Sequence, residues 1–522
     1  MAIASAFFQK QQQENDRISL HVSDFNNINQ LLNSLLYQAS LERKLNLVIF
    51  SIKNGVNINV QGGEYGTALQ AAVYSGSIEI VTVLIHQGAN VNVKGGRYGT
   101  ALHAATYWKH LEIVIFLVKQ GAEINIIEEG QYGTALQVAA YQRSLEIVTF
   151  LVQHNANVNA TGGEYNTALQ AAAYQGSLEI VTFLVQHNAD VNIQGGKYGT
   201  ALQAAAYQGS LEIVTFLVQH NADVNIQGGV YGTALQAAAY QGSLEIVTFL
   251  VSKNANINFQ GGKYGTALQA AAFSKNLEIT KFLIQQSAEV NIQGGEYSTA
   301  LQAAAYQGSF EIVKLLVQHN ADINIQGDKY GSALQGAAYQ RSWEIVKFLV
   351  QQNADVNIQG GEYDTALQVA AYWGNLKIVK LLVQHHADVN IQRGKYGTAL
   401  QAAACWGNLE IVTFLVQQGA SVNIKGGKYG TALQAAAYSG NLEIVTFLVQ
   451  QGADVNIKGG KYDSALHAAA HHRNLEIMVF LIQQNADINV QGSGSSALQT
   501  AAYQRNMETM IFLIQQDAAE NV

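Results

Sequence analysis

From about residue 62 onward, apolar and polar positions recur in a block of roughly 33 residues. Each block holds an alanine-rich cluster, a polar step, a denser aliphatic cluster and a polar connector. Gly195 to Gln227 is the type unit. Gly195-Gly196-Lys197-Tyr198-Gly199 is a glycine-rich turn, where positive φ carries no Cβ penalty. Thr200 and Gln203 have the spacing of a capping box: the hydroxyl accepts from the third helical N–H and the amide reaches back to the cap. This predicts a helix from Ala201 to about Gln208, with Gly209 as a left-handed cap. Ser210 is expected to cap a second helix that carries Glu212 in its first turn. In that helix Leu211, Ile213, Val214, Phe216, Leu217 and Val218 leave nearly every face apolar, which predicts burial between neighbours. Asn221 takes the αL end that glycine holds at Gly121 and Gly419.

The turn tyrosine sets the register: Tyr65, Tyr98, Tyr132, Tyr165, Tyr198, Tyr231, Tyr264, Tyr297, Tyr330, Tyr363, Tyr396, Tyr429 and Tyr462. One step, Tyr98 to Tyr132, is a residue longer than the rest. Such a period means stacked supersecondary units sharing one continuous core. The chain therefore reads as a polar extension over 1–30, a degenerate capping repeat over 31–61, tandem repeats over 62–491 and a terminal repeat over 492–522. In the last of these Thr500 and Thr509 replace the usual alanine and isoleucine, as suits an outer face.

Composition narrows the class. A hydrophobic content of 48% with 13% charged residues excludes a disordered chain. A net charge of −8 argues against nucleic acid as the main ligand, since phosphate binding calls for a basic footprint. The one cysteine, Cys405, stands where other units carry tyrosine, and a lone thiol fits a reducing compartment. The start lacks the basic flank of a secretory signal, and no apolar run approaches the roughly 20 residues of a membrane helix. The expectation is an intracellular, cytoplasmic monomer. Proline is absent, which leaves glycine to punctuate the chain.

The block TALQAAAYQGSLEIVTFLVQHNADVN resembles the ankyrin repeat over about residues 31–522. Alanine replaces that family's proline, and glutamine usually replaces its histidine, which is kept at His103 and His467. The resemblance implies an all-α solenoid of helix-turn-helix units with projecting turn fingers, about 15 repeats in all. The GGxYGTALQAA variant looks like ankyrin arrays of filamentous fungi, some of which are sensing arms of NACHT-type receptors whose NTPase this chain would lack. The family implies a protein-binding scaffold without enzymatic activity, its partners held on a concave face of turn tips and first-helix ends. A third reading is an elastic spacer.

Candidate chemistry is sparse. The glycine turns lack the residues of a phosphate loop, and Gly492 to Ala497 resembles GxGxxA only within a repeat turn. His467 and His471 have a metal-compatible spacing but stand at structural histidine and tyrosine positions. No catalytic set, cofactor or metal site is expected. The residue before the turn tyrosine, by contrast, varies along the array: Glu64, Arg97, Gln131, Glu164, Lys197, Val230, Lys263, Glu296, Lys329, Glu362, Lys395, Lys428 and Lys461. Towards the C-terminal third the tips turn basic, adding Arg393, Lys425 and Lys458, while Trp373 and Trp406 replace the usual glutamine. Aromatics beside cations resemble an interface hot spot. The expectation is that repeats from about 362 to 461 bind an acidic, partly apolar protein segment. Tyr372, Trp373, Trp406 and Tyr438 would be anchors, and Arg393, Lys395, Lys425, Lys428, Lys458 and Lys461 would steer.

Overall fold

The computed structural model describes residues 22–130, 133–327, 329–489, 497–504 and 507–520. The polar extension as far as residue 21, Gln131 with Tyr132 and the turn Gly492 to Ser496 lie outside the described residues. So do the side chains of Tyr503 and Thr509. The described chain forms thirty α-helices, in fifteen pairs. It divides into two compact units, Met1–Asp223 and Val224–Val522. Six helix pairs belong to the first and nine to the second. The opening helix, Val22–Leu41, runs across the boundary expected near residue 30. Within each unit the first helix of a repeat packs on its own second helix and on the first helix of the next repeat.

The Thr/Gln pattern acts as a full capping box in most repeats, whereas in the type unit the box is half made, with Thr200 Oγ1 accepting from the Gln203 N–H at 3.3 Å. In the helix Ala432–Ser439, Thr431 N–H donates to Gln434 Oε1 at 2.6 Å and Gln434 N–H to Thr431 Oγ1 at 3.2 Å. Gly440 closes the helix at φ 76°. Between these ends Ala435, Ala436 and Ala437 are fully buried, small enough for neighbouring first helices to approach closely. The second helix is less enclosed than its composition suggests. Ile444, Val445 and Leu448 are sealed in the core, but Leu442 and Phe447 are only half-buried. The equivalent Leu211 is 38% exposed. Apolar residues here form a stripe and not a full girdle.

Ser210 does not cap in the expected way: its hydroxyl accepts no helical N–H. Asparagine at this position reaches the N–H of the third residue at Asn276, Asn375 and Asn441 but makes no cap bond at Asn408 and Asn474.

Within each unit, two sets of side-chain amides join successive repeats. Gln434 Nε2 donates to the carbonyls of Ile457, Gly459 and Asp463 at 3.1, 3.1 and 2.9 Å, all in the following finger. Where histidine is kept, His103 Nε2 makes the equivalent bond to Gly133 O at 3.1 Å, and its Nδ1 accepts from the Thr100 hydroxyl at 2.7 Å. On the connector, Asn423 Nδ2 donates to Gly452 O at 3.0 Å while its Oδ1 accepts from Asp454 N–H at 2.9 Å. Asn159, Asn192, Asn357, Asn390 and Asn456 repeat that two-handed clasp. The fingers themselves stack backbone on backbone. A Cβ on Gly460 would collide with Tyr429 and Gly430 of the preceding finger, so the second glycine of the turn is required by close approach.

Two outcomes follow. Gln434→Ala strands buried carbonyls and should cost about 1–3 kcal/mol, whereas Gln434→His, with the residue used at position 467, should restore most of it. Urea unfolding followed by circular dichroism checks this; an unshifted midpoint for the alanine variant would show that the amide contributes nothing to stability. His103 is buried, and desolvation pushes its pKa down to about 4. The folded state therefore holds fewer protons than the unfolded chain between about pH 6.5 and 4, and stability is full above 6.5 and lost as pH falls through 4. The full loss is of order 3 kcal/mol, and His103→Gln should abolish that part of the acid sensitivity in urea titrations at pH 7 and pH 4.

Candidate protein-binding face

Finger tips of the described residues place the variable residue by backbone hydrogen bonds that ignore its side chain. Lys395 N–H donates to Glu362 O, Lys428 N–H to Lys395 O and Lys461 N–H to Lys428 O, at 3.2, 2.8 and 2.9 Å. The position can change charge because only its backbone is part of the frame.

That change of charge is locally compensated over much of the array. Arg97 pairs with Glu64, Lys197 with Glu164, and Glu296 lies between Lys263 and Lys329. The Lys329 ammonium holds the Glu296 carboxyl below its ordinary range. Lys395 also belongs to such a pair, 2.6 Å from Glu362, so this expected steering residue is engaged within the chain. Alternation ends there. Lys428 lies between the basic tips Lys395 and Lys461, and it and Lys461 rest 5.1 and 4.9 Å over their own tyrosine rings. Lys425 and Lys458 are exposed on the approach to the same two fingers. Arg393 reaches back to Gln359 Oε1 at 3.3 Å.

Behind the tips, turn tyrosines and first-helix tyrosines interleave into an aromatic zipper within each unit. Tyr174 sits 5.1 Å from Tyr165 and 4.7 Å from Tyr198. Tyr372 likewise bridges Tyr363 and Tyr396, and Tyr438 bridges Tyr429 and Tyr462, at 4.9, 4.5, 4.4 and 5.4 Å. Burial pushes the Tyr396 and Tyr429 phenols far above their usual range, so they remain neutral. Charge on this face comes from the tips.

The two tryptophans differ. Trp373 is half-buried, edge-on to Tyr339 and Tyr372, with the Arg341 guanidinium 5.0 Å over its ring. Trp406 is 54% exposed, stacked 6.4 Å from Trp373 and edge-on to Tyr372 at 4.9 Å. The structure thus brings together Tyr372, Trp373 and Trp406, with Tyr438 a repeat away. Trp108, alone near the N-terminus, is 42% exposed.

Sequence reasoning missed the space beside Trp406. An open cavity of about 630 Å3 lies there, lined in part by Tyr396, Cys405, Tyr429, Tyr438 and His472. The signal was present, since Cys405 occupies a tyrosine position. Its meaning depends on knowing that those tyrosines stack. Burial pushes the Cys405 thiol up from its usual range, so it is protonated at neutral pH. Burial lowers His472, with help from His471 and Lys461.

His467 and His471, noted for their spacing, hold separate places: His467 is buried with Nδ1 2.8 Å from Ser464 Oγ, and His471 lies in the aromatic row 4.8 Å from Tyr462. Among the described residues there is no cluster of three or more histidine, cysteine or carboxylate side chains suited to a metal, and no helix long and apolar enough to cross a membrane.

The family model for three consecutive ankyrin repeats matches residues 35–128, 127–195, 194–261, 268–360, 334–426, 367–459 and 433–522. The chain belongs to the ankyrin-repeat family. Ankyrin repeats generally mediate protein–protein interaction, and ankyrin-repeat proteins are typically non-enzymatic. A search of curated proteins finds no match. In this ankyrin array the frame that recurs from repeat to repeat is the amide and aromatic network, and the tips are the free variables.

If so, reversing Lys428 and Lys461 to glutamate should move stability by no more than about 0.5 kcal/mol, while Tyr429→Ala in the zipper should cost about 3 kcal/mol or more. Unfolding midpoints of the two variants check this. A large loss from the lysine reversals would make the tips structural.

Proposed function

We propose that this chain is a non-enzymatic, intracellular protein-binding module, acting as a monomer. Finger tips and first-helix ends between about residues 362 and 461 take an acidic, partly apolar segment of another protein. The observation that carries this is the end of charge alternation. Earlier tips neutralise one another in pairs, whereas Lys428 and Lys461 follow Lys395 with no acidic tip between them. Beside this run stands the largely exposed Trp406, with Tyr372 and Tyr438 flanking it. Exposed cations raise the rate of encounter with an acidic partner, and a rigid aromatic supplies contact area at little entropy cost. The net charge of −8 makes this basic run a local exception and favours a protein segment over a polyanion such as nucleic acid.

Peptides selected from a display library on the full chain should be rich in Asp and Glu with an apolar residue. Their association rates should fall as ionic strength rises. Trp406→Ala combined with Lys428→Glu should weaken the selected peptides at least about 100-fold, the scale expected for losing a hot-spot aromatic and a steering charge together. Unchanged affinity in that double variant would place the binding surface elsewhere.

A further inference from the structure

The aromatic zipper has a vacancy at one repeat. In other repeats a ring at the end of the first helix stands between two turn tyrosines: Tyr174, Tyr240, Tyr372 and Tyr438 do so, and Phe273 fills the same place between Tyr264 and Tyr297. Between Tyr396 and Tyr429 the helix offers only Cys405. Their rings are 6.2 Å apart and nearly parallel at 24°, a spacing that the neighbouring pair Tyr363 and Tyr396 shares at 5.9 Å with a tyrosine inserted alongside. The frame is therefore kept and the ring is missing.

A second change widens the opening. Ser439, where half of the repeats carry the longer glutamine after the ring residue, lines the same cavity as Trp406 with a short side chain. Together these substitutions leave the cavity of about 630 Å3, within the range of specific ligand sites and roomy enough for a ring with its adjoining backbone. Its rim carries Trp406 on one side and His472, edge-on to Tyr438 at 4.3 Å, on the other. Lys428 lies over the Tyr429 ring that forms one wall, and Lys461 is placed one finger further.

We propose that this vacancy is the specificity pocket of the binding face. It accepts a phenylalanine or tyrosine side chain of the partner segment, whose ring completes the zipper between Tyr396 and Tyr429. Carboxylates on either side of that ring in the partner's sequence face Lys428 and Lys461. This deepens the reading of the basic face given above and rests on it. The occupant follows from two observations: the walls are spaced for an aromatic ring, and the adjacent tips carry like charge that an acidic neighbour would neutralise.

The test uses the full chain and two synthetic peptides, acetyl-Glu-Asp-Glu-Phe-Glu-Asp-Glu-amide and its analogue with alanine in place of phenylalanine, measured by calorimetry. Wild type should bind the phenylalanine peptide at least about 10-fold more tightly. Cys405→Tyr fills the vacancy with the residue usual at that place, so the fold should be kept, as its circular dichroism and melting midpoint would report. It should erase the preference while leaving the alanine peptide's affinity unchanged. Cys405→Ala should keep the preference, separating shape from thiol chemistry. Lys428→Glu with Lys461→Glu should weaken both peptides. A preference that survives Cys405→Tyr, or equal affinities for wild type, overturns the pocket; the broader reading still stands if charge reversal weakens both peptides. Absence of binding by either peptide at millimolar concentration overturns both.

Discussion

The buried side-chain amide that crosses from one repeat to the next is the interaction on which the rest depends. A glycine-rich finger exposes carbonyls that its own short turn cannot satisfy, and burying them unpaired would be prohibitive. Gln434 answers this by closing its own helix cap with Oε1 and holding the next finger with Nε2. The asparagine clasp does the same at the connector, as at Asn423. Since each amide binds only the neighbouring repeat, stability is a sum of nearest-neighbour terms, and the period can be repeated many times without a new core.

The same arrangement decides which residues are free to change. Glutamine, threonine and the second turn glycine are fixed by hydrogen bonds or by backbone contact, and alanines by helix approach. The tip residue meets the neighbouring fingers through its N–H and C=O whatever its side chain, so glutamate, lysine and valine can all stand there. One position then carries both the paired charges along much of the array and the basic run at Lys428 and Lys461, with no acidic tip between them. The aromatic zipper behind it is tolerant in a different way. Phenylalanine at 273 and histidine at 471 keep a ring in the row, and only cysteine at 405 opens it.

Short-range signals were legible in the sequence. The glycine and asparagine caps and the two-helix unit involve residues within a few positions and stand where the spacing indicates, while the capping box closes fully in most repeats but only by its Thr200 arm in the type unit. The Ser210 cap failed because residue type alone does not report reach. Contacts between repeats were less legible, because their partners lie 23 to 33 residues apart: Gln434 with Ile457, Asn423 with Gly452, Glu362 with Lys395. The tip charges could be read along the chain, but only the fold shows that Lys395 is spoken for. Trp373 and Trp406 share one motif position, yet Arg341 covers the first and leaves the second open. Cys405 was visible as an exception and became a cavity only once the rings were known to stack.

Hydrogen exchange across the full chain, with and without a saturating acidic peptide containing phenylalanine, tests most directly whether frame and binding face are separate. The account predicts uniformly slow exchange of the amide-clasped fingers in the free protein. Added protection on binding should be confined to about residues 393–472. Protection centred on the compensated tips near Glu64 and Arg97, or on the second helices, would contradict it.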